Sequence, residues 1–292
     1  MEQPIVVAAH AKINLALDVL GKREDGYHEV AMVMQSVGLA DRVALSERPE
    51  GIRVSTDLAG LDCGPANLAY RAAELLQKQF AIRRGVEIVL AKHIPLAAGL
   101  AGGSADAAAV LQGLNRLWEL ELPEDELVEL GALLGSDVPF CLEGGTMLAT
   151  GRGESLAPLP ALPHAWLVLA KPPVAVSTAW VYGQFRPEAV AVRPDLEGMA
   201  ESLRRGDLPG VAGRLCNVLE TVTIPVYPEI AAIKQLMLKH GAMASLMSGS
   251  GPTVFGLAAT REKAEEIAAV LEHSGVGWVA VTETIRELGE KS

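Results

Sequence analysis

The sequence predicts a two-domain α+β protein, and three observations carry that prediction. The first sixty residues alternate apolar and polar positions in short runs, 4–9, 12–19, 29–37 and 42–55, broken by turn-rich stretches such as Gly21-Lys22-Arg23-Glu24-Asp25-Gly26. This reads as a β-rich start. Helical and strand-like segments then mix without the regular alternation of a βαβ protein. Pro158, Pro160 and Pro163 crowd together just ahead of an apolar strand, which divides the chain into expected domains over 1–160 and 161–292.

Taken in order, a helix is predicted over 66–80 and a strand over 86–91, then a glycine-rich loop with its own helix and a further helix over 124–134. Beyond the prolines come a strand at 165–170, helices near 177–185, 193–204, 228–240 and 260–273, and strands near 243–247, 253–258 and 276–285. No internal repeat or low-complexity tract stands out.

Composition narrows the function. The chain has 292 residues, half of them hydrophobic and 21% charged, enough for a sizeable core and without a run of apolar residues that would span a bilayer. Its start, Met1-Glu2-Gln3-Pro4-Ile5-Val6-Val7, lacks the basic residues and long apolar run of a secretory signal, so a cytoplasmic location is expected. Cys63, Cys141 and Cys216 are odd in number, far apart and without a CxxC spacing, which suits reduced thiols and not a disulfide framework or a zinc site. A net charge of −11 argues against gripping the phosphates of a nucleic acid polymer but permits one small anionic ligand.

A place for such a ligand lies at Pro95-Leu96-Ala97-Ala98-Gly99-Leu100-Ala101-Gly102-Gly103-Ser104-Ala105, which runs into a helix with apolar positions Ala107, Val110, Leu111, Leu114 and Trp118. Gly99, Gly102 and Gly103 are expected to turn with positive φ and to bring bare N–H groups close to an anion at the helix N-terminus. Triphosphate is the expected guest; a flexible turn before a helix is the plainer reading of any single glycine pair. The loop fits neither a Walker A sequence, which needs glycine and lysine where Ser104 and Ala105 stand, nor a dinucleotide fingerprint, which needs glycine at Ala101. A serine-hydrolase elbow fails as well, because Asp106 follows Ser104-Ala105 and Ser248-Gly249-Ser250-Gly251 lacks the leading glycine.

In chain order, Ala11-Lys12-Ile13-Asn14-Leu15, the loop at 95–109 and Leu246-Met247-Ser248-Gly249-Ser250-Gly251-Pro252-Thr253 form a pattern that resembles the GHMP kinases, the superfamily of galactokinase and of homoserine, mevalonate and phosphomevalonate kinases. The resemblance covers nearly the whole chain. It implies a ribosomal-protein-S5-like N-terminal domain, a ferredoxin-like C-terminal domain and an active site in the cleft between them, working with ATP and Mg²⁺. Within the superfamily, Arg23-Glu24-Asp25-Gly26-Tyr27-His28 and Gly135-Ser136-Asp137-Val138-Pro139-Phe140 resemble the branch that phosphorylates the 2-hydroxyl of a methylerythritol carrying cytidine diphosphate, on the non-mevalonate route to isoprenoids.

By this resemblance Asp137 accepts the hydroxyl proton, and Lys12 keeps that carboxylate ionised and stabilises the emerging charge. Taken singly, each has a plainer reading, Asp137 as a turn or helix cap and Lys12 as a solvated strand residue. On the acceptor side the resemblance implies Asn14, Tyr27 stacked on cytosine, His28 bonded to the base edge, and Tyr182 on the opposite face, with Trp180 a near competitor. Thr178 either orients the methylerythritol or caps a helix. Ser248, Gly249, Ser250 and Gly251 either approach the phosphate loop or form a tight hairpin loop. Asn67 belongs near the adenine or is an N-cap; Ser104 offers a hydroxyl to a phosphate oxygen or to Mg²⁺; Asp106, in the first turn of the loop helix, is structural. No metal ligand is assigned. Rival readings are a homoserine or mevalonate type of GHMP kinase and a nucleotide-binding protein without catalysis, the latter opposed by the presence of both Lys12 and Asp137. The expected partner is a small molecule, with no nucleic acid polymer and no membrane, and the protein is expected to be a monomer or weak homodimer.

Overall fold

The computed structural model describes residues 3–286 and 288. It opens with two long strands, β1 (Ile5–Lys22) and β2 (His28–Arg48), where the alternation suggested several short ones. The reason lies in burial. From Ala11 to Val19 every residue of β1 is buried, so polar Lys12, Asn14 and Asp18 share one covered face while Ile13, Leu15 and Leu17 share the other. The end of the last predicted run belongs to a separate strand, β3 (Ile52–Thr56).

The chain continues through α1 (Leu68–Gln79), β4 (Gly85–Ala91), α2 (Gly102–Leu117), α3 (Glu124–Leu134), α4 (Val138–Glu143), β5 (Thr146–Thr150), β6 (Ser155–Pro158) and β7 (Trp166–Lys171). After these come α5 (Thr178–Gln184), α6 (Leu196–Arg204), α7 (Leu208–Ala212), β8 (Cys216–Asn217), α8 (Glu220–Val226), α9 (Pro228–Lys239), β9 (Ala244–Met247), β10 (Val254–Ala258), α10 (Arg261–His273) and β11 (Trp278–Glu283). By packing, these elements form two compact units interleaved in sequence. One contains the chain up to Ala11, Leu39–Leu96 and Ala101–Glu143; the other contains Lys12–Gly38, Ala97–Leu100 and the chain from Gly144 onward.

In the first unit β3 runs parallel to β4, the two joined through α1, as a parallel pair requires, and β4 pairs antiparallel with the end of β2 from Arg42↔Ala91 to Arg48↔Gly85. Val43, Leu45, Ile88 and Leu90 from this sheet pack with Leu76 of α1, Val110, Leu111 and Leu114 of α2, and Leu127 and Leu130 of α3 in one core. Ala69, Ala72 and Ala73 on α1 and Ala105, Ala108 and Ala109 on α2 are all buried, and such small side chains let two helices approach closely.

In the second unit β7, β9, β10 and β11 form an antiparallel sheet in the order β11-β7-β10-β9, with α9 leading into β9 and α10 joining β10 to β11. Numbered within this sheet the order is four-one-three-two, the ferredoxin-like arrangement. Every residue of β10 is buried, and Ile233 and Met237 of α9 and Ile267 and Leu271 of α10 supply apolar faces to cover a sheet. The first half of β2 pairs with β5, β5 with β6, and β1 runs parallel to β8 through Ala16↔Cys216 and Leu17↔Asn217.

Among the glycines of the first unit, Gly113 has the least room for a side chain. A Cβ there would lie 2.1 Å from Leu45 Cδ1 and 3.3 Å from Val7 Cγ2. Gly113→Ala should therefore overpack the core and cost about 1–3 kcal/mol, against the usual gain from alanine in a helix. Urea denaturation of the two proteins measures this, and an unchanged or raised midpoint contradicts it.

Candidate active site

The three sequence motifs meet at the carbonyl of Gly99, inside the second unit. The two-residue period of β1 puts Lys12 and Asn14 on the same face, where the Lys12 ammonium donates to Asn14 Oδ1 at 2.7 Å and to Gly99 O at 3.1 Å. The Lys12 amide donates to Leu100 O at 3.1 Å. From the third motif, Ser248 Oγ donates to Gly99 O at 2.9 Å and the Thr253 amide to Ala98 O at 3.4 Å. Gly99 has φ +75°, and a Cβ there would stand 2.2 Å from Ser248 O, so glycine is required twice over.

The segment Ser248–Thr253 is the hairpin loop between β9 and β10 and at the same time the clasp on Gly99. Buried Asn217 holds it by donating from Nδ2 to Met247 O at 2.8 Å and to Gly249 O at 2.7 Å. Thr223 Oγ1 donates to Ser250 O at 3.3 Å, and Glu220, paired with Lys234, accepts from the Met247 amide at 2.9 Å. None of Asn217, Glu220 and Thr223 carried a sequence signal, because each meets the loop across a long separation with no characteristic spacing. Thr178 Oγ1 lies 2.9 Å from Ser250 Oγ, and the capping of α5 falls instead to Ser177, which accepts from the Trp180 amide at 3.3 Å.

The glycine loop turns differently from the expectation. Its positive φ values fall at Ala97 (48°), Gly99 (75°) and Ala101 (60°), whereas Gly102 and Gly103 are already helical in the first turn of α2. Alanines thus take two of the left-handed positions, at roughly 1–2 kcal/mol each. Gly102 is needed for closeness, since a Cβ there would come within 3.0 Å of Ile94 Cγ2. Ala101 caps α2 in the left-handed conformation with no side-chain hydrogen bond, so no capping side chain serves the amides of Gly102, Gly103 and Ser104. Such a helix end suits an anion.

In the first unit Ser104 Oγ stands 4.0 Å from the place of a Cβ on Gly135, and two residues on the backbone carbonyl of Asp137 starts α4 by accepting from the Cys141 amide at 3.1 Å. Asn67 is the N-cap of α1: its Oδ1 accepts from the Ala69 amide at 2.8 Å and its Nδ2 donates to Asp62 O at 2.6 Å. Asp106 lies past the first turn of α2, not within it, and is buried with Lys92 and Asp41. Burial pushes its carboxyl up to about 7, with Lys92 opposing the rise and Asp41 adding to it.

A cavity of about 220 Å³ in the second unit is lined by Val19, Gly21, Lys22, His28, Tyr182, Gly183, Phe185, Arg186 and Pro187. The rings of His28 and Tyr182 are 5.3 Å apart at an interplanar angle of 38°. Trp180 turns edge-on to Tyr227 instead, with 6.4 Å between centroids. Tyr27 lies outside this lining, 54% exposed, with the Arg152 guanidinium 5.1 Å from its ring centre. Lys22 and Arg186 add two cations that no motif announced. Burial, and secondarily Lys22, lower the His28 pKa below its ordinary 6.5, so at neutral pH the imidazole offers one donor and one acceptor.

Comparison with known proteins fits this geometry. The family model for the GHMP kinases N terminal domain matches residues 67–145, and that for the GHMP kinases C terminal matches 199–277. The two family models and the fold thus define a GHMP kinase. A 4-diphosphocytidyl-2-C-methyl-D-erythritol kinase of Bacillus velezensis is 50% identical over 290 residues, 99% of this chain and 98% of that protein. One from Geobacillus kaustophilus is 56% identical over 253 residues, 86% of this chain and 87% of its own. A crystal structure of 4-(cytidine 5'-diphospho)-2C-methyl-D-erythritol kinase superposes with a TM-score of 0.83 at 37% identity, covering 96% of this chain and 99% of the other. The chain belongs to the 4-diphosphocytidyl-2-C-methyl-D-erythritol kinase family of the GHMP kinases. Homoserine kinase from Cytophaga hutchinsonii, at 21% identity and a TM-score of 0.79, shares the fold. Among the described residues no helix is long and apolar enough to cross a membrane.

Two outcomes follow from the local geometry. Gly99→Ala should destabilise the protein by on the order of 2 kcal/mol, whereas Gly103→Ala should stay within about 0.5 kcal/mol of the parent or exceed it, alanine being the better helix former. Thermal denaturation of both variants tests the contrast, and equal losses contradict it. For His28, an NMR titration should give a midpoint below 6.5 that rises on Lys22→Ala. Because the folded pKa is depressed, this group's contribution to stability is complete above 6.5 and is lost as the pH falls through the folded value.

Proposed function

We propose that this kinase transfers the γ-phosphoryl group of ATP to the 2-hydroxyl of 4-(cytidine 5'-diphospho)-2-C-methyl-D-erythritol, in the non-mevalonate pathway to isoprenoids. The observation that carries the reading is the cavity at His28 and Tyr182. It combines an aromatic face, a neutral imidazole with one donor and one acceptor, and the cations Lys22 and Arg186, which suits a nucleobase linked to a diphosphate. A homoserine or mevalonate acceptor has neither base nor diphosphate and would leave this chemistry unused. A nucleotide-binding protein without catalysis would have no need of Lys12 and Asp137 together.

Phosphoryl transfer asks little covalent chemistry of a protein: the γ-phosphorus must be held in line with the hydroxyl and its charge neutralised. The residues from Pro95 to Ala105 (Pro95, Leu96, Ala97, Ala98, Gly99, Leu100, Ala101, Gly102, Gly103, Ser104 and Ala105) hold the triphosphate through loop and α2 amides, with Asn67 on the adenine side. Asp137 takes the proton from the 2-hydroxyl as its oxygen attacks the γ-phosphorus, and the bond to the β-phosphate oxygen breaks to release ADP. Lys12, fixed by Asn14 and Gly99 O, neutralises charge on the transferred group. Tyr182 and His28 take the cytosine, with Tyr27 beside them, while Thr178 and Ser248–Gly251 orient the methylerythritol end. Mg²⁺, when bound, would supply positive charge to offset that of the phosphates, and the Ser104 hydroxyl would be available to hold it. Among the described residues no group of three or more His, Cys, Asp and Glu gathers to hold a metal ion, and Mg²⁺ on a nucleotide ordinarily needs only one or two protein oxygens. Functionally, 1–160 and 161–292 are the two halves, and the family matches at 67–145 and 199–277 fall on either side of that division. The protein works in the cytoplasm as a monomer or weak homodimer.

Purified protein incubated with ATP, Mg²⁺ and a panel of alcohols should release ADP with the cytidyl substrate; release with homoserine or mevalonate alone contradicts the assignment. Asp137→Asn should leave ATP binding intact and lower turnover by about 10²–10⁴, and near-normal turnover removes Asp137 as the base. Tyr182→Ala should raise KM for the cytidyl substrate about tenfold or more with little effect on KM for ATP, and equal changes count against stacking.

A further inference from the structure

Three charged side chains meet in the first unit at the two stems of the glycine loop. Lys92 follows directly after β4, Asp41 sits in β2 and Asp106 in α2; all three are buried. The Lys92 ammonium donates to Asp106 Oδ2 at 2.5 Å and also to Asp41 Oδ2. Asp41 Oδ1 accepts from the amides of His93 at 2.5 Å and Ile94 at 2.8 Å, the last residues before Pro95. One stem of the loop is thereby tied to the other through a single ammonium group. The stems also touch directly: a Cβ on Gly102 would lie 3.0 Å from Ile94 Cγ2 and 3.7 Å from Lys92 Nζ.

Stability is a poor explanation for this cluster. Two carboxylates and one ammonium out of water carry a desolvation penalty, and apolar replacements of similar volume are often neutral or stabilising. Asp106 Oδ1 has no hydrogen-bond partner among the described residues, which adds to the cost. What the cluster does supply is direction and length, since an ammonium gripped by two carboxylates fixes where both stems stand.

We propose that Lys92, with Asp41 and Asp106, is a positioning residue for nucleotide binding: it sets the spacing of the loop stems, and so the aim of the Gly102, Gly103 and Ser104 amides. This rests on the reading that those amides hold the triphosphate of ATP. The effect is confined to the nucleotide side, because the cluster holds only residues adjoining the loop and none of those assigned to the cytidyl substrate.

Steady-state kinetics with ATP and the cytidyl substrate tests it. Asp106→Ala should raise KM for ATP by about tenfold or more while kcat and KM for the cytidyl substrate stay within about threefold. Asp106→Asn, which keeps an acceptor for Lys92 at the same length, should restore KM for ATP to within about threefold of the parent. Parallel changes in both KM values, a fall in kcat alone, or a failure of asparagine to rescue would overturn the proposal. If Asp106→Ala does not fold, Lys92→Arg gives the answer: its longer guanidinium keeps the charge but spreads the stems, so KM for ATP rises alone, and an unchanged KM refutes the clamp. A parent protein whose rate shows no saturable dependence on ATP overturns the triphosphate reading and the clamp together, whereas a saturable parent without the KM split overturns the clamp alone.

Discussion

The carbonyl of Gly99 has two lone pairs, and both are used. One accepts from the Lys12 ammonium in β1, the other from Ser248 Oγ in the loop before β10. Those donors lie far apart in sequence, and the third participant, Gly99, comes from the middle of a loop whose neighbouring residues belong to a different packing unit. The approach is possible only because no side chain stands at Gly99, where a Cβ would be 2.2 Å from Ser248 O. One shared acceptor therefore gathers strand, glycine loop and hairpin, and the hydrogen bonds of Asn217 and Thr223 hold the hairpin where it reaches that acceptor.

Charge is distributed to match. The chain as a whole is strongly acidic, yet cations gather at the candidate site: Lys12 at the clasp, and Lys22 and Arg186 in the cavity with His28 and Tyr182. Net charge governs solubility and long-range attraction, while a small ligand responds to a few nearby groups, so the two can differ in sign. His28 illustrates the finer adjustment, since partial burial beside Lys22 keeps its ring neutral and able both to give and to take a hydrogen bond.

Much of this was legible in the residues, for reasons that differ from place to place. Helices α1, α3, α9 and α10 lie within a residue or two of their expected spans because each has an apolar period and a clear start, such as the Asn67 cap or the acidic first turn after Pro123. Short α4 and α8 carry Pro139 and Pro225 and too few turns to develop a period, so neither announced itself. Conformational freedom alone points to Gly99, Gly102 and Gly103 for the left-handed turns; Gly99 takes one, but tertiary closeness against Ile94 explains Gly102, and Ala97 and Ala101 bear the strain. Motif order points to Lys12, Asn14 and the hairpin glycines, and these gather around Gly99 O. Lys22, Arg186, Asn217 and the Lys92 cluster act across long loops, and no local spacing reports such contacts.

The interleaving of the two units has a consequence for how the protein is made. Everything in the first unit has been synthesised once Glu143 is joined, so all of its core is available before the rest of the chain is made. Lys12–Gly38 belongs to the other unit, whose remaining sheet begins only beyond Gly144, and must wait for partners such as β5 and β8 to emerge. Lys12 and Asn14, the residues nearest the start of the chain in the candidate site, are thus among the last to reach their final surroundings. The hydrogen bonds that assemble the site span 87 residues from Lys12 to Gly99 and 149 from Gly99 to Ser248, the range of contact whose loop-closure cost slows folding in general.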